Sequence, residues 1–250
     1  MMIYHYTTIE TLALIVKNKT LRFNKLTHVD DQDEGETADY GNLGDYAFVS
    51  CWTNKATENV VLWNMYAKEM TGVRIGINAE NIPFELYPQD PQGNKIKNIK
   101  KFSEKDCVFL LKNSDSQCKY IPVEYTKTEL PNLINRNEKG YPIIYLKNIA
   151  ALKSEEWQCQ QEIRFVLFGA TTENNSSIEV FETLVSRNQN PPISSTYVDL
   201  QLNEKTFSNM EITLSPKSSE AQKIICDALL TAYLPPDIRS TIQIKKVNSR

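Results

Sequence analysis

Glycine is scarce in this sequence, since only eight of the 250 residues are glycine. That scarcity argues against collagen-like and linker-like architectures and against loops that hold phosphates on glycine backbones. The chain also lacks the Walker A, dinucleotide-binding, nucleophile-elbow and zinc-protease motifs that define several large enzyme classes. Its two histidines, His5 and His28, are too few for a histidine-rich metal site, so no metal is expected.

The cysteines exclude two further classes of protein. The chain has five of them, widely spaced and without a Cys-x-x-Cys pair, which argues against a disulfide framework and a zinc ribbon. The first residues carry no signal-peptide pattern, and no apolar stretch approaches the length of a membrane span. We therefore expect a cytoplasmic protein in a reducing compartment, without membrane contact.

Charge is unevenly distributed along the chain. The formal net charge of −3 gives no support to binding of a nucleic-acid backbone. Residues 29–46 hold seven acids and no lysine or arginine, whereas residues 93–105 hold five lysines and one acid. Runs of one sign are usually solvated, so both are predicted to be surface loops. The acidic run lacks the last glutamate of a calcium-binding loop, so we do not expect it to bind calcium.

Hydrophobic periodicity predicts short strands mixed with isolated helices. The strands are predicted over residues 2–6, 20–24, 46–53, 73–78, 107–111, 119–125, 162–168, 178–185, 196–200, 210–214 and 242–247. The helices are predicted over residues 8–18, 57–70, 129–136 and 143–153, and from Ser218 or Ser219 to Tyr233. Without regular alternation of strand and helix, this order indicates an α+β fold with mostly antiparallel pairing.

Some residues also predict local packing. Thr7 and Glu10 match a capping box at the start of the first helix. We expect the aromatic strand 46–53 and Trp157 to be buried. In the last helix one apolar stripe is predicted to face the core, formed by Ala221, Ile224, Ile225, Ala228 and Leu229.

The candidate functional residues are uncommon side chains at the edges of predicted elements. His5 ends the first strand, although a lone histidine more often has a structural role. Trp63 and Tyr66 lie three residues apart on one helix face, which fits either core packing or a platform for a flat ring. Glu162 and Arg164 point to the same face of a strand, where a surface ion pair is the simplest interpretation.

The order of several short motifs resembles the DUF2971 family, a bacterial and phage family of unknown function. The motifs are YHYTT (4–8), LRFN (21–24), the acidic loop, VSCW (49–52), LWxxYA (62–67), GVxIG (72–76) and WxxxxExR (157–164). The resemblance covers residues 3–78 and 143–168 and is weaker over 209–250. We expect a single domain over residues 1–250, with residues 79–142 as an insertion or unplaced segment.

That family is in turn distantly similar to ADP-ribosyltransferases of the histidine–tyrosine–glutamate type. The similarity implies a mostly antiparallel split sheet with flanking helices and a cleft for NAD, which is a substrate and needs no metal. In such a cleft, the similarity implies that His5 holds a ribose hydroxyl, that Tyr66 or Trp63 stacks on nicotinamide, and that Glu162 is the catalytic acid residue. The implied catalytic residues are thus Glu162, His5 and Tyr66. The implied cofactor-binding residues are His5, Tyr6, Thr7, Arg22, Asn24, Ser50, Trp63, Tyr66 and Arg164.

These residues suit cleavage of the bond between nicotinamide and ribose, because a carboxylate stabilises the positive charge that develops on the sugar. The resemblance implies a toxin-like or anti-phage effector that modifies an unidentified protein or nucleic acid. Gln160 stands where the family of transferases often has an acid that helps to choose the acceptor, so the acceptor stays open. An NAD glycohydrolase, and a non-catalytic domain that senses a nucleotide or a phage protein, remain alternatives.

Overall fold

The computed structural model of the chain describes residues 1–31, 33–80, 83–84, 99–101, 106–110, 120–127, 130–171 and 191–247. Its strands are β1 (Met2–Thr7), β2 (Thr20–Lys25), β3 (Glu36–Thr37), β4 (Gly41–Asn42), β5 (Ala47–Thr53), β6 (Val73–Asn78), β7 (Ile99–Lys101), β8 (Asp106–Leu110), β9 (Ile121–Pro122), β10 (Glu124–Thr126), β11 (Ile134–Arg136), β12 (Pro142–Ile144), β13 (Leu152–Ser154), β14 (Glu162–Thr171), β15 (Tyr197–Gln201), β16 (Glu211–Leu214) and β17 (Ile244–Lys246). Its helices are α1 (Ile9–Asn18), α2 (Val60–Tyr66), α3 (Lys147–Ala150), α4 (Glu204–Ser208), α5 (Glu220–Tyr233) and α6 (Pro236–Thr241). This content confirms the α+β class.

One large sheet carries most of the strands, in the order β17-β16-β6-β1-β5-β14-β8-β7. β2 joins this sheet through β5 and β15, and β9 joins it through β14. Its described pairs are antiparallel except for β16 with β17. The sheet is therefore mixed and mostly antiparallel. β7, β8 and β9 belong to the unplaced segment 79–142, and they extend this same sheet.

The sheet forks beside β5, and the fork positions the site described below. β1 pairs with the end of β5 through Tyr4 and Thr53, whereas β2 pairs with its beginning through Asn24 and Val49. From there β1 continues along β6 and β2 continues along β15. The two strands, which α1 connects, thus contact different ends of β5 and leave its middle unpaired on that side.

Hydrophobic cores cover both faces of the sheet, because β5 and β14 alternate between them. Phe48, Trp52 and Phe165 belong to the larger core, which also contains the buried face of α1. Val49 and Val166 belong to the second core, together with residues of α3. Since both faces are covered, any charged side chain in the middle of β14 must be buried.

Most predicted strands are confirmed within one or two residues, and strand 46–53 is buried except for the partly buried Cys51. The predicted strand 178–185 lies outside the described residues. Of the lysine-rich run predicted to be a loop, the described part, Ile99–Lys101, forms β7. The first helix is capped by Thr8, which accepts from the Thr11 amide, so the predicted capping box of Thr7 and Glu10 is wrong and the cap lies one residue later.

The second helix is shorter than the predicted 57–70, because the chain leaves the helix after Tyr66. Lys68, Glu69 and Met70 have positive φ angles of 47°, 54° and 66°, which carry the backbone back toward β6. A Cβ atom on Gly72 would lie 2.3 Å from the Thr7 carbonyl oxygen, so the return requires glycine. Close packing of Gly72 against β1 thus fixes the path by which the chain enters β6.

The helix predicted over 129–136 is wrong, because its described residues 130–133 are not helical and residues 134–136 form β11, which pairs with β12 in a hairpin. Asn137 and Gly140 make its turn, with the Gly140 amide bonded to the Asn137 carbonyl and a φ of 81°. The helix predicted over 143–153 is reduced to the single turn of α3. Trp157, predicted to be core, is only partly buried.

The last helix has its predicted position and a complete capping box at Ser219, but it faces the other way. Its buried side chains are Cys226 and Leu230. Ile224 and Ile225, predicted to face the core, are 62% and 49% exposed. The apolar stripe is therefore on the surface except for Leu229, which is partly buried and packs against the core. The packing of α5 against α1 decided its orientation.

The orientation of α5 can be tested by stability measurements. Leu230→Ala should lower the free energy of unfolding by about 2–5 kcal/mol, because it leaves a cavity in the core. Ile225→Ala, a matched truncation on the exposed face, should change it by less than about 0.5 kcal/mol. Urea denaturation followed by circular dichroism measures both. A larger loss for Ile225→Ala would show that the stripe faces the core.

Candidate functional site

A cleft of about 510 Å³ opens at the fork of the sheet, a volume typical of small-molecule sites. Its walls come from β1, α1, β2, the middle of β5 and the end of α2, with β14 at its inner end. His5, Tyr66 and Glu162 all line it, as expected. So do further residues that the resemblance implied, namely Tyr6, Thr7, Arg22, Asn24, Ser50 and Arg164.

Four buried charges form a cluster at the inner end of the cleft, and all of them except Glu34 line it. Arg164 is 0% exposed, Glu34 is 3%, Lys153 is 5% and Glu162 is 8%. Arg164 donates to both oxygens of Glu162, at 2.7 and 3.0 Å, and to both oxygens of Glu34 on its other side. Lys153 lies 3.0 Å from Glu34 and 3.7 Å from Glu162. Two acids and two bases thus balance in a region where an unpaired charge is costly.

A surface ion pair, the simplest interpretation of Glu162 and Arg164 in the sequence, is wrong because both side chains are buried. A signal was present in the strand itself: Glu162 and Arg164 alternate with core residues and share their face with Val166, which is also buried. Such a pair needs partners, and the acidic run supplies Glu34. Nothing in the spacing of the sequence points to Lys153.

The acidic run is anchored to the protein at several points, so it is not a solvated loop as predicted. Glu34 enters the buried cluster, and Asp31 is also buried. Asp39 accepts from the backbone amides of Leu133 and Ile134 at 2.8 and 2.9 Å. These bonds hold the run against the β11–β12 hairpin, and they place Asp30 beside the cleft.

Tyr66 links this acidic run to the wall of the cleft. Its hydroxyl donates to Asp30 at 2.7 Å and accepts from the Gln160 side-chain amide at 2.7 Å. Burial and the bond to Asp30 raise the pKa of Tyr66 well above its usual value. Tyr66 therefore remains protonated, and its ring is held at a fixed angle. The Gln160 Oε1 atom is buried and has no partner among the described residues.

Glu162 remains ionised at neutral pH. Burial alone raises its pKa, but the charge and hydrogen bonds of Arg164 outweigh burial, so that the pKa is lowered overall. Cys51 lies beside it and donates a thiol hydrogen bond that acts in the same direction. Burial, together with the charge of Glu162, raises the pKa of Cys51 well above its usual value, so Cys51 is a neutral thiol.

His5 reaches the cleft from the opposite face of the sheet. Tyr4 and Glu162 both pair with Thr53, so these three side chains share one face. His5 follows Tyr4 and points to the other face, where its ring lies 5.1 Å from Trp52. Its Nδ1 donates to the Cys51 carbonyl at 2.8 Å, and burial lowers its pKa. The ring is thus neutral, and Nε2 can act only as an acceptor.

Trp63, one of the two residues expected to stack on nicotinamide, does not line the cleft. It is 1% exposed and packs edge-on against Tyr6, with 4.7 Å between the ring centroids. Helical spacing puts Trp63 and Tyr66 near each other, but Trp63 turns into a small core with Leu62 and Ala67. Tyr66 is therefore the ring that faces the cleft.

The outer end of the cleft carries an exposed ion pair. Arg22 donates to both Asp199 oxygens at 2.9 Å, and its guanidinium lies 3.6 Å above the Tyr197 ring. β2 and β15 bring these residues together, because Arg22 pairs with Asp199 in their register. Arg22 was among the residues expected from the sequence, but Asp199 was not, because it lies 177 residues away from Arg22 along the chain.

The described residues contain no group of three or more His, Cys, Asp or Glu side chains placed to hold a metal ion. Within the same residues, no helix is long and apolar enough to cross a membrane.

Fold and site together define an α+β protein with a ligand-sized cleft at a fork of its sheet. Residues 62–165 match the family described as "Protein of unknown function (DUF2971)", which confirms the family resemblance. The matched range contains Tyr66, Glu162 and Arg164, and it includes the segment 79–142 that sequence reasoning left unplaced. No curated protein and no solved structure matches the chain.

The buried charges should depend on one another. Lys153→Met should lower the free energy of unfolding by about 3–5 kcal/mol, because it leaves an unbalanced acid in the protein interior. Adding Glu34→Gln makes the cluster neutral again. The free energy of unfolding of the double variant should therefore fall by less than the sum of the losses in the two single variants. Urea denaturation of the four proteins measures this coupling.

The matched control is Lys147→Met, which removes the exposed partner of Glu124. It should cost less than about 1 kcal/mol. Strictly additive losses for Lys153→Met and Glu34→Gln would contradict a charge-balanced cluster.

The lowered pKa of Glu162 also makes stability depend on pH. Ionised Glu162 contributes fully above its ordinary pKa of 4.5, and this contribution is lost as the pH falls through the lower pKa of the folded state. The Glu162→Gln variant lacks this pH-dependent contribution to the free energy of unfolding. The stability difference between wild type and Glu162→Gln should therefore shrink between about pH 7 and about pH 3. Denaturant titrations across this range measure it, and a constant difference would refute the assignment.

Proposed function

We propose that this protein cleaves the bond between nicotinamide and ribose in NAD, as an ADP-ribosyltransferase that modifies a protein or a nucleic acid. The observation that carries the proposal is the ionised carboxylate of Glu162 at the inner end of a ligand-sized cleft, close to Tyr66. A toxin-like or anti-phage effector is the biological role that goes with this activity.

The residues around Glu162 suit the charge that develops in this reaction. As nicotinamide leaves, C1′ of the ribose becomes positively charged, and an ionised carboxylate stabilises that charge. A lowered pKa keeps Glu162 in this form, so its role is electrostatic and it does not donate a proton. Nicotinamide needs no proton to leave, because the bonding electrons neutralise its ring.

Tyr66 and Gln160 suit recognition of the nicotinamide. The Tyr66 ring is fixed by hydrogen bonds at both sides of its hydroxyl, so stacking on it costs little ordering. The unpartnered Oε1 of Gln160 is an acceptor for the carboxamide N–H of nicotinamide. Water in place of a macromolecular acceptor would make the same site an NAD glycohydrolase.

A non-catalytic sensor of a nucleotide or a phage protein is the second candidate, and two observations favour it. Both oxygens of Glu162 already accept from Arg164, which weakens the field that the carboxylate exerts on a sugar. In addition, His5 and Glu162 approach the cleft from opposite faces of the sheet. In a sensor the same cleft binds its ligand without breaking a bond.

The experiment compares nicotinamide release from labelled NAD, with and without cell lysate, for wild type and Glu162→Gln. In a transferase or glycohydrolase, Glu162→Gln should lower the rate by about 10²–10³-fold, because the sugar cation loses its stabilising charge. Label on protein or nucleic acid identifies a transferase, and free ADP-ribose identifies a glycohydrolase.

The control variant is Glu124→Gln, which neutralises an exposed carboxylate outside the cleft and should keep the wild-type rate. Circular dichroism must show that Glu162→Gln is folded. If the wild-type protein binds NAD but releases no nicotinamide, the enzymatic proposal is wrong and the sensor becomes the supported function.

A further inference from the structure

The described part of the cleft offers no free positive charge. Among its lining residues that the structure describes, Arg22, Lys153 and Arg164 carry permanent positive charge. Arg22 is paired with Asp199, and the other two are paired with Glu34 and Glu162. A ligand phosphate would therefore compete with carboxylates that are already in place.

At the inner end this competition is especially unfavourable. The pairs of Lys153 and Arg164 are almost completely buried, so separating either base from its acids leaves two buried carboxylates with a single base. A diphosphate would bring negative charge into a neutral and poorly solvated wall. The inner end thus disfavours an anion and accepts a neutral or cationic group.

At the outer end the one available base is also neutralised. Arg22 uses Nε and Nη2 for Asp199 and lies flat on Tyr197, so the edge that binds an anion through two hydrogen bonds is occupied. A phosphate that binds to the remaining N–H groups of Arg22 would therefore lie close to the negative charge of Asp199. Attraction to Arg22 and repulsion from Asp199 then nearly cancel.

When Glu34, which lies behind the lining and is paired with Lys153 and Arg164, is counted with the lining residues, one negative charge is left without a base among the described residues. Asp30 accepts from the Tyr66 hydroxyl but has no cationic partner in the described part of the chain. It lies beside the Tyr66 ring, on which a flat cation would stack. A pyridinium ring that stacks on Tyr66 would bring its positive charge close to Asp30. Gln160 Oε1 is the nearby acceptor for the carboxamide of such a ring.

On the basis of these contacts, and resting on the proposed cleavage of the nicotinamide bond, we infer that the cleft recognises the cationic nicotinamide–ribose unit and not the diphosphate. Nicotinamide riboside is then a substrate as good as NAD. The bond between C1′ and the pyridinium nitrogen breaks, and its electron pair leaves with neutral nicotinamide. Water adds its hydroxyl to C1′ and releases one proton.

The test measures dissociation constants and nicotinamide release for nicotinamide riboside, nicotinamide mononucleotide and NAD with the wild-type protein. Affinities for the three should agree within about threefold, because phosphates add no net attraction. Binding of NAD at least about tenfold tighter than the riboside overturns the inference, even if NAD is cleaved. Equal binding without cleavage supports recognition of the nicotinamide–ribose unit and rejects the catalytic proposal. Binding of none of the three overturns both.

Asp199→Asn gives an independent test, because it leaves the charge of Arg22 without its partner. The affinity for NAD relative to the riboside should rise about threefold to fivefold, which is the strength of one exposed ion pair. Glu220→Gln, which breaks the exposed pair with Lys223 outside the cleft, is the matched control and should leave this ratio unchanged. An unchanged ratio in Asp199→Asn would contradict the cancellation of charge at the outer end.

Discussion

The buried guanidinium of Arg164 is the constraint on which the rest of this structure depends. It stands near the beginning of β14, a strand that is covered on both faces, where a lone charge would be too costly to keep. Two acids and one further base must therefore meet around it. Glu34 comes from the acidic run and Lys153 from β13, so the cluster joins distant parts of the chain behind the cleft.

This cluster also sets the character of the cleft. The fork between β1 and β2 provides the space, and the neutral wall behind it decides which ligands can enter. Because Glu34 fixes the acidic run, Asp30 comes to lie against Tyr66 and adds the negative charge that no base balances among the described residues. The interactions that stabilise the fold at this point and those that select a ligand are thus largely the same.

Strands were predicted better than helices, for a physical reason. Alternation along β5 and β14 depends on neighbours in sequence, so aromatic and β-branched residues identified both strands. The return of the chain from α2 to β6 depends on how closely Gly72 approaches β1, and the surface that α5 buries depends on α1. Likewise, helical spacing placed Trp63 and Tyr66 together, but only packing determined that Trp63 belongs to the core.

From the sequence alone followed the α+β class, most strands and a set of site residues that all line the cleft except for Trp63, because motifs at strand ends meet wherever those strands pair. Tertiary structure alone decided the charge of the site. Glu34, Lys153 and Asp199 find their partners across more than a hundred residues, or from a separate strand, so no local pattern reveals them. Burial then converts these pairings from weak surface contacts into strong constraints, since the cost of an unpaired charge appears only where water is excluded.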